Sequence, residues 1–201
     1  MKKIAIIPKI IKTYKNQYEI SVERNLLFFL KNKIKLNNIQ ILIDSNNIKK
    51  YDLFISSGGN NITNTNYVDK LRNKLETKVL KFCNSNNKKY IGICYGAQFV
   101  NKFFGAKLTK KKIIKRANYK INICQNDLNL SNGTKFKVNS YKNLYIQKVP
   151  KNFRVIGKND KNNSIEIFRH EDKTIYCFMW HPERLDLIDN RLVKYFKLLC
   201  N

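Results

Sequence analysis

The stretch Tyr90-Ile91-Gly92-Ile93-Cys94-Tyr95-Gly96-Ala97-Gln98 limits the possible folds of this 201-residue chain more than any other segment. A short apolar run ends on a cysteine and passes without a linker into a helical pattern, the sequence form of a nucleophile elbow. On so sharp a strand-to-helix turn, side chains two residues either side of the nucleophile would strike the adjoining helix and strand. Gly92 and Gly96 occupy those two positions. A cysteine at a helix N-terminus lies at the positive end of the peptide dipoles, which favours its thiolate. The N–H of Tyr95 is then aimed at the oxygen of an attacked carbonyl and supplies one half of an oxyanion hole. Taken alone, a G-x-C-x-G pattern also fits a buried structural cysteine.

A base for Cys94 has to come from two histidines. His170 lies in Arg169-His170-Glu171-Asp172-Lys173, a polar interruption between two strand-like runs that predicts an exposed hairpin turn. His181 follows the apolar run Ile175–Trp180 and opens His181-Pro182-Glu183, so it is the better candidate. Extended backbone puts residues i and i+2 on one side, so Glu183 can sit behind His181 and hold its tautomer while Pro182 stiffens the link. Cys94, His181 and Glu183 would together form a triad in which His181 takes the thiol proton and returns it to a leaving amine. A third short apolar run, Tyr51–Ser56, leads through Ser57 to Gly58-Gly59, whose amides can turn toward a ligand. Gly59 would give the second oxyanion donor, typically worth about 10²–10³ in rate.

These pieces, in this order and across nearly the whole chain, resemble the class I glutamine amidotransferase superfamily. Within it they look similar to the free-standing γ-glutamyl hydrolases of the C26 peptidase type. Val138-Asn139-Ser140-Tyr141 resembles the stretch before the substrate-contacting loop of those hydrolases, and Ser164-Ile165-Glu166-Ile167 resembles the strand leading toward His-Pro-Glu. Where the hydrolases usually continue with histidines and a glutamine, Lys142 and Asn143 stand here, so the substrate outside the γ-glutamyl group is expected to differ. The resemblance implies substrate contacts at Gly58, Gln98, Asn139 and Ser140, and requires neither a metal nor an organic cofactor.

Composition fits one domain over residues 1–201, since 43% hydrophobic content supports one sizeable core and no Pro/Gly/Ser-rich linker interrupts it. Strands are expected near Lys3–Pro8, Ile39–Ile43, Leu53–Ser56 and Tyr90–Ile93, with helices near Glu19–Lys31 and Tyr67–Asn84, the latter capped by Thr65. This alternation predicts an α/β fold with a doubly wound, mostly parallel sheet, flavodoxin-like as the resemblance implies. After an elbow helix ending near Phe104-Gly105, extra strands should fill the chain to Trp180, and a last helix should run over Leu185–Leu199. No apolar stretch is long enough to span a membrane, and Met1–Pro8 is too short for a signal-peptide core and reads as a first buried strand. Five cysteines without metal-ligand spacing suit reduced thiols, and a cytoplasmic protein is expected.

The net charge is +26, from 40 Lys+Arg against 14 Asp+Glu. The basic residues are spread among asparagines and isoleucines, with no aromatic-interleaved basic motif, so nucleic acid is not expected as a partner. The charge suits a small anionic substrate drawn to a cleft. The densest basic run, Lys110–Arg116, reads as an exposed charged segment. Adding the charge to the resemblance, the expected reaction is hydrolysis of a γ-glutamyl amide such as γ-glutamyl-CDP-amidate, which would release glutamate and CDP-amidate (cytidine diphosphoramidate) for capsular polysaccharide modification. A glutaminase that feeds ammonia to a separate synthase remains open, as does a non-catalytic anion- or nucleic-acid-binding protein. Free-standing length and the Val138-Asn139-Ser140 stretch favour the hydrolase. Neither oligomeric state nor the roles of Lys142 and Arg184 follow from the sequence.

Overall fold

A computed structural model describes residues 2–62, 66–110 and 117–201. In chain order its elements are β1 (Ile4–Ile7), β2 (Lys9–Tyr14), β3 (Gln17–Ser21), α1 (Arg24–Phe28) with a π turn at Phe29–Lys33, β4 (Ile39–Ile41), β5 (Leu53–Ser56), α2 (Tyr67–Asn86), β6 (Lys89–Ile93) and α3 (Tyr95–Phe103). There follow β7 (Thr109–Lys110), β8 (Ala117–Ile123), β9 (Lys135–Ser140), β10 (Leu144–Tyr145), β11 (Phe153–Asn159), β12 (Ile165–His170), β13 (Ile175–Phe178) and α4 (Asn190–Cys200). Among the described residues nine strands form one sheet in the order β4-β1-β5-β6-β13-β12-β11-β8-β9. The five from β4 to β13 are parallel, and the remainder extend the sheet antiparallel.

The inner parallel strands β1, β5, β6 and β13 are almost wholly apolar because both faces are covered, whereas the edge strand β4 is largely exposed, and the inner strands' residues divide by alternation. Ile4, Ile6, Leu53, Ile55, Ile91, Ile93 and Phe178 pack on the face closed by α1 and α4. Ala5, Ile7, Phe54, Tyr90, Ile175 and Cys177 pack on the face closed by α2 and α3. The short continuous runs read from the sequence are thus the centre of a doubly wound sheet, and the antiparallel strands lie in the C-terminal half as expected.

Three expectations are corrected. Residues 19–21, read as the start of a helix, belong to β3, which pairs with β2 in a hairpin turning at residues 15–16. Tyr and β-branched residues on both arms (Ile10, Ile11, Thr13, Tyr18, Ile20) favour that pairing over the weak helical period, and α1 begins only at Arg24. The final helix starts at Asn190, where the Asp189 side chain accepts from Arg191 N–H at 2.8 Å; before it, Pro182–Arg184 form a 3₁₀ turn. His170 lies beside a hairpin turn but is buried. Its ring packs on Phe153 and Phe104, and its Nδ1 accepts the N–H groups of Asp172 and Lys173, both at 3.1 Å.

The Thr65 cap falls outside the described residues, as do residues 111–116 of the basic run. The side chain next in sequence, Asn66, caps α2 by accepting from Asp69 N–H at 2.9 Å. All five cysteines are free. No helix among the described residues is long and apolar enough to cross a membrane.

Candidate active site

Parallel pairing of β6 with β13 (Ile93 opposite Phe178) and of β5 with β6 (Ser56 opposite Gly92) brings three loops together at one end of the sheet, where open α/β folds bind ligands. Cys94 follows β6, His181 follows β13 and the Gly58-Gly59 loop follows β5. The N–H of Cys94 donates to the Phe178 carbonyl at 2.7 Å, which fixes the elbow to the strand that carries His181.

Cys94 has φ 52° and ψ −96°, a positive-φ conformation that a side-chain-bearing residue rarely adopts. The two glycines are needed for the reason their spacing suggested. A Cβ on Gly92 would lie 2.7 Å from the Gly96 carbonyl carbon and 2.8 Å from Ala97 N. One on Gly96 would lie 2.5 Å from Ser56 Oγ. The strain therefore sits at a residue whose flanking positions 92 and 96 leave no room for a side chain.

His181 is buried, its Nδ1 contacts Glu183 Oε1 at 2.6 Å, and it interacts electrostatically with Cys94. Burial pushes the Cys94 thiol up, but the charge and hydrogen bond of His181, helped by Lys142 and Arg184, bring it below its ordinary value. Burial lowers His181, yet the Cys94 thiolate and the Glu183 carboxylate together raise it to about 9. Both shifts favour the charged forms, thiolate and imidazolium, relative to the ordinary values of the two groups. Burial, by contrast, raises the other four thiols, Cys83, Cys124, Cys177 and Cys200.

The remaining sequence-predicted residues divide by what they touch. A Cβ on Gly58 would fall 2.4 Å from His181 Cε1, so Gly58 lets the Gly58-Gly59 loop lie directly against the imidazole. Gly59 has φ +93°, and the methylene stem of Lys9 packs over it. Tyr95 is buried in the first turn of α3, where N–H groups lack helical partners; its hydroxyl bonds Asn73 and its ring lies under Arg72 at 4.9 Å. Gln98 is buried one turn on, its N–H donating to the Cys94 carbonyl at 3.0 Å. Ser140 is buried at the end of β9, beside Lys142.

Asn139, expected among the substrate contacts, has its amide engaged with the candidate base. Nδ2 donates to the His181 carbonyl at 2.7 Å, and Oδ1 accepts the His181 N–H at 2.9 Å. Lys142 is buried too, ion-paired to Glu166 at 2.5 Å and donating to the Tyr119 hydroxyl at 2.8 Å. Arg184 donates at 2.8 Å to Glu23, just ahead of α1, and stacks over the Tyr141 ring at 4.5 Å; that ring meets His181 edge-on at 5.5 Å.

Two supporting side chains were missed by sequence reasoning. Fully buried Arg72 of α2 donates to the Ile7 carbonyl (2.9 Å), Ser56 Oγ (3.0 Å), the Ser57 carbonyl (3.2 Å) and Glu76 (2.9 Å). Asn60 grips Ile10 by both its N–H and its carbonyl, each at 2.8 Å, and so ties the β2–β3 hairpin to the Gly58-Gly59 loop. An arginine in the middle of an otherwise amphipathic helix was the available signal for the first, and Asn after Gly-Gly for the second.

A sheet of this topology with a glycine-clamped cysteine, a buried histidine and a glycine loop at its strand ends defines a class, and the chain belongs to it: residues 13–191 match the glutamine amidotransferase class-I family. Among individual proteins the chain is similar to the γ-glutamyl-CDP-amidate hydrolase of Campylobacter jejuni, 29% identical over 153 residues that cover 72% of this chain and 70% of that protein. It is also similar to glutamine-hydrolysing GMP synthases, 29% identical over 68% of this chain for Wolbachia of Brugia malayi and 36% over 46% for Petrotoga mobilis. The matches span only 26% and 18% of those two synthases. Among solved structures, a GMP synthase candidate from Thermoplasma acidophilum superimposes with a TM-score of 0.75 at 22% identity, over all of this chain and 94% of that one. A glutamine amidotransferase from Thermotoga maritima gives 0.65 at 15%, over 99% and 94%.

Proposed function

We propose that this chain is a cysteine-dependent hydrolase of a γ-glutamyl amide, with γ-glutamyl-CDP-amidate as the favoured substrate. The observation that carries the reading is the Cys94–His181–Glu183 line at adjacent strand ends, with the thiol below and the imidazole above their ordinary pKa values. The Cys94 thiolate attacks the γ-carbonyl, and the N–H groups of Tyr95 and Gly59 receive the developing oxyanion. His181 protonates the departing nitrogen, leaving a γ-glutamyl thioester on Sγ. It then takes a proton from water, whose attack on the thioester releases glutamate and restores the thiol. Glu183 holds the ring orientation throughout. The match across 70% of the Campylobacter hydrolase supports the choice of substrate.

A glutaminase that passes ammonia to a separate synthase is the second reading, supported by the similarity to GMP synthases. The deciding experiment compares turnover of glutamine, γ-glutamyl-polyamines and γ-glutamyl-CDP-amidate by wild type and Cys94→Ala. Preferred cleavage of the nucleotide amide, abolished in a folded Cys94→Ala, is the expected result. Substantial activity in that variant refutes the mechanism, and turnover of glutamine alone, stimulated by a partner, refutes the hydrolase.

A further inference from the structure

Beside the end of β9 lies a cavity of about 290 Å³, separate from the catalytic line but sharing Ser140 and Lys142 with its surroundings. This is near the lower end of the size range of small-molecule pockets. Its wall is polar in a particular way. The one acid on it, Glu166, is neutralised by Lys142, and also accepts from Tyr119 at 2.5 Å and from Ser164 at 3.0 Å. Lys142 in turn directs its ammonium at Glu166, Tyr119 and the Met179 carbonyl, so its three N–H bonds are used within the protein. The pair is thus a closed, neutral floor.

The walls above that floor are differently equipped. Asn159 Oδ1 accepts the N–H groups of Lys161 and Asn162, at 2.9 and 3.2 Å, which shapes the turn carrying Lys161 along the cavity. The side chains of Asn118 and Lys161 make no hydrogen bond within the described residues, so an amide and an ammonium remain for a ligand. Tyr119 offers an aromatic wall. One uncompensated cation, free amide groups and a ring beside a neutral floor match a ligand with negative charge, hydrogen-bonding edges and a planar base, a combination that neither ammonia nor a polyamine offers. The position fits the same reaction. Asn139, adjacent to Ser140, holds His181, and the charge of Lys142 is near enough to favour the Cys94 thiolate.

We propose that this cavity holds the phosphate-bearing leaving half of the substrate, with Lys161 at a phosphate and Asn118 and Tyr119 at the nucleoside. The inference rests on the hydrolase reading and specifies where that enzyme recognises its amide. Titrating CDP, cytidine, inorganic phosphate and glutamate separately into wild type, Lys161→Glu and Asn118→Asp tests it by calorimetry. Melting curves establish that each exposed-site variant is folded. Saturable CDP binding by wild type, stronger than that of cytidine and weakened at least about ten-fold by Lys161→Glu, is expected. Equal CDP affinity in all three proteins overturns the assignment of the cavity. A loss confined to glutamate overturns it as well, making the cavity the acyl subsite. If wild type ignores CDP yet cleaves another γ-glutamyl amide, this inference and the choice of nucleotide fall while the hydrolase stands. Absence of all γ-glutamyl cleavage removes the underlying reading.

Discussion

Replacing Asn139 with Ala removes two hydrogen bonds that hold the backbone of the candidate base, at 2.7 and 2.9 Å. Both residues are buried, Asn139 at 4% and His181 at 2% exposure, so the change leaves a carbonyl and an N–H of His181 without partners. Each orphaned buried group costs about 1–3 kcal/mol, for a gross loss of about 2–6 kcal/mol. A water entering the vacated amide volume recovers part of this, so about 2–4 kcal/mol is expected. For a chain of this size that corresponds to a fall in Tm of roughly 4–16 °C. The imidazole would also lose its register against Cys94, and misplacement of a catalytic group by an ångström costs about 10² in rate. Asn139→Asp sharpens the test. It keeps an acceptor for the N–H but sets a buried carboxylate against the His181 carbonyl, and should be less stable than Ala. Thermal and urea unfolding, with kcat on a γ-glutamyl anilide, measure both effects. If Asn139→Ala lies within about 0.5 kcal/mol of wild type and keeps full kcat, the side chain does not hold the base.

Gly92→Ala should fail more severely than an ordinary small-to-large change, whose cost is about 1–3 kcal/mol, because the added carbon meets backbone at 2.7–2.9 Å; loss of soluble protein or of cooperative melting would register it. Iodoacetamide should alkylate Cys94 selectively near neutral pH, since burial raises the other four thiols; peptide mass spectrometry gives the site. The midpoint of that alkylation should lie below the ordinary thiol value of 9.0 and move upward in His181→Ala, where burial remains but the imidazolium is gone. The sign for stability is opposite at the base. His181 is raised from 6.5 to about 9, so its contribution is complete below about 6.5 and is lost as pH rises through about 9, as melting curves across that window should show. Lys142→Met alone strands the buried Glu166 carboxylate and should cost about 3–5 kcal/mol, whereas Lys142→Met with Glu166→Leu should recover part of it in denaturant titrations.

Much of this architecture is legible in the residues, and for identifiable reasons. β1, β5, β6 and β13 are buried on both faces, so their apolar runs are continuous and unlike the amphipathic α2. The elbow is legible because a clearance of under 3 Å, to helix backbone at position 92 and to the Ser56 side chain at position 96, favours glycine at both, and His181-Pro182-Glu183 because a two-residue spacing is enough to join Nδ1 to a carboxylate. The β2–β3 hairpin was masked because Glu19–Lys31 carries a helical period, while the preference for β3 lies in its cross-strand partners on β2. Asn139, Asn60 and Arg72 escape for another reason. Their partners are backbone atoms of distant segments, which leave no pattern in composition or spacing. The burial of His170 is likewise set by Phe104 and Phe153, far away in the chain.

Arg72 binds the last residues of β1 and β5 and the residue that follows β5, and its guanidinium also lies over Tyr95 at the start of the elbow helix. One side chain that faces no solvent thus joins three of the segments around the candidate nucleophile. The segments that carry the candidate oxyanion donors are in this way suspended from α2, a helix that carries none of the candidate reacting groups. Drift in that helix would reach all three segments at once, and no rearrangement local to the cleft could correct it. Loss of activity on mild heating should therefore coincide with loosening of α2 rather than precede it, and the variants that best prolong activity would be sought along the helix, away from the pocket.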